Sequence, residues 1–106
     1  MNDVRDSECA AIASHYGEEA QMKIVIEECA ELIQAICKLS RTAEDGIAED
    51  GIAEARKHYV EELTDVIIMV SQLRWLLSDK EKKMLDDMYR FKVGRQLGRI
   101  ERENHK

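Results

Sequence analysis

IVIEECAELIQAICKL, residues 24–39, decides the fold. Read at about 100° per residue, Ile24, Val25, Leu32, Ala35 and Leu39 fall within roughly 60° of Glu28, so a carboxylate stands in the middle of an apolar helix face. HYVEELTDVIIMVSQLRWLL, residues 58–77, repeats the arrangement, with Ala55 and then Tyr59, Val66, Met69, Leu73, Leu76 and Leu77 gathered around Glu62. Glu31 and Asp65 each follow their partner by three residues and point the same way along their helix. Two helices packed by these faces gather four carboxylates. A buried ionised carboxylate is costly unless something compensates it, and no Lys or Arg falls in the central part of either arc. A divalent cation is the natural compensator, and a set of oxygen donors alone selects Mg²⁺, or Mn²⁺, over zinc.

The rest of the chain agrees with helices. Its 106 residues suit a single domain, 1–106, and the absence of proline with only five glycines favours long uninterrupted elements in an all-α fold. The pattern predicts a short helix over 3–15 that caps one end, with apolar positions Val4, Cys9, Ala10, Ile12 and Ala13 and a stop at Gly17. Long helices follow over 18–41 and 53–77, and the capping box Ser78-Asp79-Lys80-Glu81 opens a fourth that runs to about residue 103. Between the long helices lies EDGIAEDGIA, residues 44–53, a tandem copy of five residues that reads as a tolerated surface insertion, a loop or a weak helix start. The helix over 53–77 is apolar on a second side too, through Val60, Ile67, Ile68 and Trp75. One short chain offers too few helices to cover both sides, so the expected fold is a bundle of about four helices completed by homo-oligomerisation.

Charge narrows the function. A formal net charge of -6 and a pI near 5.1 argue against binding the backbone of a nucleic-acid polymer, which needs a basic footprint. Cys9, Cys29 and Cys37 are odd in number and lack a CxxC pair, which fits free thiols in a reducing cytoplasm. The polar start MNDVRDSECA carries no apolar signal core and no later stretch reaches bilayer-spanning length, so a soluble cytoplasmic protein without membrane partners is expected.

Each motif has an ordinary reading beside the functional one. Asp and Glu supply 22 of the 106 residues, so one ExxE or ExxD is expected on a solvated helix face. Two such pairs, each centred on an apolar arc and carried by successive long helices, favour a metal site. A di-iron carboxylate bundle needs Glu-x-x-His, and none of His15, His58 or His105 stands three residues after a Glu. On the last helix Lys92, Arg95 and Arg99 share a face with Leu85 and Met88. Basic residues there also complement the helix macrodipole, and of the three Lys92 and Arg95 are the candidate phosphate contacts. Lys38 and Arg41 are read as solvated salt-bridging residues, Trp75 as oligomer core, and Tyr59 as the better candidate for stacking on a base. Gly94 and Gly98, four apart on the opposite side of the last helix, would let another helix approach closely.

Taken together, Glu27-Glu28-x-x-Glu31 and Glu62-x-x-Asp65 resemble the paired signature of the MazG-like all-α nucleoside triphosphate pyrophosphohydrolases. VIIMV after the second motif and KVGRQLGRI on the last helix are similar to that family as well, so the likeness covers residues 18 to about 100. The 30 residues between Glu31 and Glu62 are long for the family, and removing one copy of EDGIA leaves 25. The resemblance implies a MazG-like domain that assembles as a homodimer or homotetramer and uses Mg²⁺ to cleave a nucleoside triphosphate to its monophosphate and pyrophosphate. It further implies that Glu28, Glu31, Glu62 and Asp65 hold the metal while Glu27 orients or deprotonates the attacking water. Lys92 and Arg95 would stabilise charge on the departing pyrophosphate. The alternative is a noncatalytic helical interaction module whose acidic cluster merely binds a cation or a basic partner.

Overall fold

In a computed structural model the described residues are 3–44 and 49–105, and they form four α-helices with no strand among them. These are α1 (Asp3–Tyr16), α2 (Glu18–Glu44), α3 (Glu49–Trp75) and α4 (Asp79–Asn104). Helix packing divides the chain into two units, residues 1–76 and 77–106.

The first unit is an antiparallel hairpin of α2 and α3 with α1 packed on both. Gly17 makes the turn that separates α1 from α2. Its φ of 85° lies in the left-handed region that glycine adopts without strain, and its N–H donates to the Ala13 carbonyl at 2.9 Å. The Gly17 carbonyl then accepts from Gln21 N–H at 3.1 Å, so α2 begins within one residue of the end of α1. Among the described residues the buried apolar side chains are Ala13, Ala35 and Ala55, one from each helix of the unit. Small side chains at the contact let the helix axes approach closely.

The apolar faces are covered only in part. α1 covers some of the second apolar side of α3, yet Ile67 there is 54% exposed, and on α2 Ile26 and Ile33 are 71% and 62% exposed. α2 runs three residues past its expected end at 41 and α3 stops at Trp75, two before its expected end, but the largest difference from the sequence reading is at the start of α3. α3 begins at Glu49, four residues before the expected start, so the second EDGIA copy is helical and its Gly51 and Ile52 are half-buried. A glycine inside a helix costs about 1 kcal/mol relative to alanine, which partial burial of an isoleucine offsets. Asp45 to Ala48 of the first copy lie outside the described residues.

The second unit is α4 and the turn before it. Leu76 N–H donates to Leu73 O at 3.1 Å as α3 ends, and Ser78 then adopts an extended conformation as N-cap. The capping box forms as the sequence predicts: Ser78 Oγ accepts from Glu81 N–H at 3.1 Å and Glu81 Oε1 accepts from Ser78 N–H at 2.9 Å. Hydrogen bonds to the Glu81 carboxyl from Ser78, first from its backbone N–H and then from its side chain, hold it below its ordinary pKa. No residue of α4 is buried. Among the described residues no helix is long and apolar enough to cross a membrane, and all three cysteines are free.

Candidate metal centre

The helical repeat sets the site. Residues three apart share a helix face, so Glu28 and Glu31 leave α2 on the side that meets α3, and Glu62 and Asp65 leave α3 toward α2. The hairpin brings Glu28, Glu62 and Asp65 together, with one carboxylate oxygen from each lying within 4.8 Å of the others. Neighbouring ligand atoms around a small octahedral cation stand about 3 Å apart, so a modest side-chain rotation closes the set.

Two of the three carboxylates are half-buried, and Asp65 is exposed at the rim. Glu28 Oε2 and Glu62 Oε2 are shut away from solvent with no hydrogen-bond partner. Orphaned acceptors of this kind are rare in folded proteins because each forfeits its hydration without replacement. Burial pushes the Glu28 carboxyl above its ordinary pKa, and repulsion from Glu31, Asp65, Glu62 and Glu27 adds to it. The Glu62 carboxyl is also raised, first by burial, then by the charge of Glu31 and a hydrogen bond with it, while His58 pulls the other way. Both groups are thus held in an arrangement that disfavours their own charge. A divalent cation bound between them reverses that preference.

Glu31 stands beside Glu62 and bonds to it, outside the close triad. Glu27 is exposed on the flank of α2 and near enough to Glu28 to repel it. His58, one turn before Glu62, places Nδ1 3.9 Å from Glu62 Oε1. The sequence reading weighs this histidine only as half of a Glu-x-x-His motif, although its four-residue spacing from Glu62 was the available signal. Tyr59 is half-buried, with the Arg56 guanidinium 5.2 Å from its ring centroid, so its near face is already covered by a cation. Lys92 and Arg95 are exposed on α4 in the second unit, where the Arg95 guanidinium lies 5.9 Å from the centre of the Phe91 ring. A Cβ at Gly94 would meet nothing within 4 Å, and one at Gly98 would meet only the Arg102 side chain at 3.5 Å, so this face of α4 is open.

Two further polar side chains escape the sequence reading. Gln21 and Gln72 are only 1% and 3% exposed, and the Oε1 of each has no hydrogen-bond partner. They sit seven residues before Glu28 and seven after Asp65, two turns from the carboxylates on either helix. That spacing was the signal, but neutral amides do not stand out in an apolar arc as charges do. Compared with family models, curated proteins and solved structures, the chain matches none.

Proposed function

We propose that the chain is a Mg²⁺-dependent nucleoside triphosphate pyrophosphohydrolase of the MazG-like kind. One observation carries the reading: three carboxylates from two facing helices converge, and two of them keep buried oxygens that no protein group satisfies. A structural cluster would be expected to recruit a lysine or arginine. Among the described residues, His58 is the basic group within ion-pair range of Glu62.

Glu28, Glu62 and Asp65 would hold the ion, with Glu31 steadying Glu62 or entering the ligand set when the side chains close. A bound Mg²⁺ or Mn²⁺ would supply neutralisation of phosphate charge and a lowered pKa for water. Glu27 would accept the proton of a water attacking the α-phosphorus. The new bond is from that water's oxygen to the phosphorus, the bond that breaks joins the phosphorus to the α–β bridging oxygen, and pyrophosphate leaves with that oxygen. By the family resemblance, Lys92 and Arg95 would stabilise the charge on the leaving group. The exposed Ile26, Ile33 and Ile67 support assembly into a homodimer or homotetramer, which would cover them.

Titration with Mn²⁺ followed by assay of pyrophosphate release from nucleoside triphosphates tests the reading. Stoichiometric metal uptake with metal-dependent release supports it. Uptake without turnover would instead identify a cation-binding interaction module.

A further inference from the structure

Two clefts between α2 and α3, of about 590 and 490 Å³, meet at Lys38 and His58, which line both. The larger also holds Lys57, Glu54 and Glu61, so its charges balance. The smaller is walled by Arg41 and neutral residues and has no carboxylate. In a chain with a formal net charge of -6, a cleft with Lys38 and Arg41 and no acid is a local reversal of sign. Read from the sequence, these two belong to solvated salt bridges, yet among the described residues neither is paired with a carboxylate. His58 joins the groove to the metal centre, since its Nδ1 stands 3.9 Å from Glu62 Oε1. Lys38 follows Glu31 by seven residues, about 10 Å along α2, and in an antiparallel hairpin forward on α2 runs with backward on α3. Lys38, Arg41 and His58 therefore lie on the same side of the carboxylates, toward the connection between the two helices.

Lys38 and Arg41 are three residues apart on α2, where neighbouring side chains leave the helix about 5–6 Å from one another. At that spacing each can take one phosphoryl group of a linked pair, the Arg41 guanidinium as a two-pronged donor and the Lys38 ammonium as a point charge. We propose that this groove is an anion site for condensed phosphate, with Lys38 and Arg41 as its main contacts and His58 as a third donor. The acids of the metal centre do not forbid it. At physiological ionic strength charges beyond about 8 Å are largely screened, whereas direct ion contacts are not. Glu54 and Glu61 confine the anion to the Arg41 side. Ile33, at the edge of the smaller cleft, belongs to the face that a second copy is expected to cover, and the contacts of Lys38 and Arg41 do not depend on it. On the hydrolase reading the groove receives the pyrophosphate end of the nucleotide, a contact made by the first unit's own side chains. Anion binding itself does not rest on that reading.

The experiment uses the whole chain stripped of metal, with inorganic pyrophosphate as probe and sulfate as comparison, in amide-resolved NMR titrations at about 0.15 M salt. Pyrophosphate should saturate, shift resonances of residues 34–42 and 54–61, and bind about tenfold more tightly than sulfate, because it can engage both cations at once. Lys38→Gln and Arg41→Gln should each weaken it about tenfold, the low end of what one charge-assisted hydrogen bond contributes. Both residues are exposed, so neither variant should lose helical content. Lys23→Gln removes the same charge near the start of α2 and should leave the affinity unchanged. Absence of saturation, equal affinity for sulfate, shifts confined to α4, or equal losses in all three variants would each overturn the anion site. Pyrophosphate held by Lys38 and Arg41, with no triphosphate hydrolysed in the presence of Mn²⁺, would sink the hydrolase reading and leave the groove standing. Turnover that Lys38→Gln and Arg41→Gln do not alter, in a chain that binds no pyrophosphate here, would overturn the groove alone.

Discussion

Protons and the metal should compete for the same two oxygens. Glu28 and Glu62 both have carboxyl pKa values raised above the ordinary 4.5, first by burial and then by neighbouring carboxylates, so each holds its proton to higher pH than a free carboxyl does. Binding a cation then displaces about two protons, which belong to the coupled pair and not to either residue alone. Over that window the dissociation constant for Mn²⁺ should rise by up to about a hundredfold per unit fall in pH, and with Glu62→Gln by only about tenfold. The metal-free fold has the opposite dependence. Between 4.5 and the raised values the folded chain holds more protons than the unfolded one, so stability from these groups is greatest at acid pH and declines as pH rises through the window. Glu81 acts in reverse: its lowered pKa gives the capping box a contribution present above 4.5 and lost as pH falls through the folded value. Calorimetric titration with Mn²⁺ in two buffers of different ionisation enthalpy counts the protons, and thermal melts with and without metal at pH 5.5 and 8 give the stability limb. A dissociation constant independent of pH, with no proton release, would refute the cluster as a metal site.

Substitutions divide the acids by geometry. Glu28→Gln and Asp65→Asn should nearly abolish pyrophosphate release with helical content by circular dichroism unchanged, whereas Glu31→Gln, which loosens a neighbour of the triad, should cost roughly tenfold to a hundredfold. Gly17→Ala forces a Cβ into the left-handed region at φ 85° with no steric neighbour to blame, so urea denaturation should report a loss of about 1 kcal/mol from backbone strain alone. Sedimentation at micromolar concentration should find a dimer or tetramer, and a stable monomer would contradict the burial argument for Ile26, Ile33 and Ile67.

What the sequence made legible follows from what helical periodicity encodes. Each carboxylate pair is fixed to a face of its own helix by a three-residue spacing, and the antiparallel hairpin needs only those faces to meet, so Glu28, Glu62 and Asp65 could be read in advance. Glu31 was harder, because the same face holds positions that differ by a rotation of about 60°, enough to move a carboxylate from the triad to its edge. Ser78 and Glu81 were legible because a capping box is a local motif. Gly51 misled the reading of the α3 start, since local propensity gives way when neighbours gain burial. Ile67 and Ile68 seemed to demand a second chain, yet α1 supplies part of their cover, a tertiary pairing that no period announces. Lys92 and Arg95 share a face of α4, which is a statement within one helix. What that face meets lies beyond any such pattern.

The alanines at the centre of the first unit have a consequence for behaviour in dilute solution. Burying Ala13, Ala35 and Ala55 returns only about 0.8 kcal/mol for each methyl, far less than leucines in the same places would. The fully buried positions thus add little by themselves, and the half-buried Leu32, Leu39, Leu63, Val66 and Leu73 carry the rest of the unit's interior. On the proposed assembly, the exposed apolar surface on Ile26, Ile33 and Ile67 would be covered only by mass action, when copies meet. For such a chain dilution works as a denaturant: the melting temperature should climb with protein concentration, and a metal bound between α2 and α3 should matter most where copies are scarce.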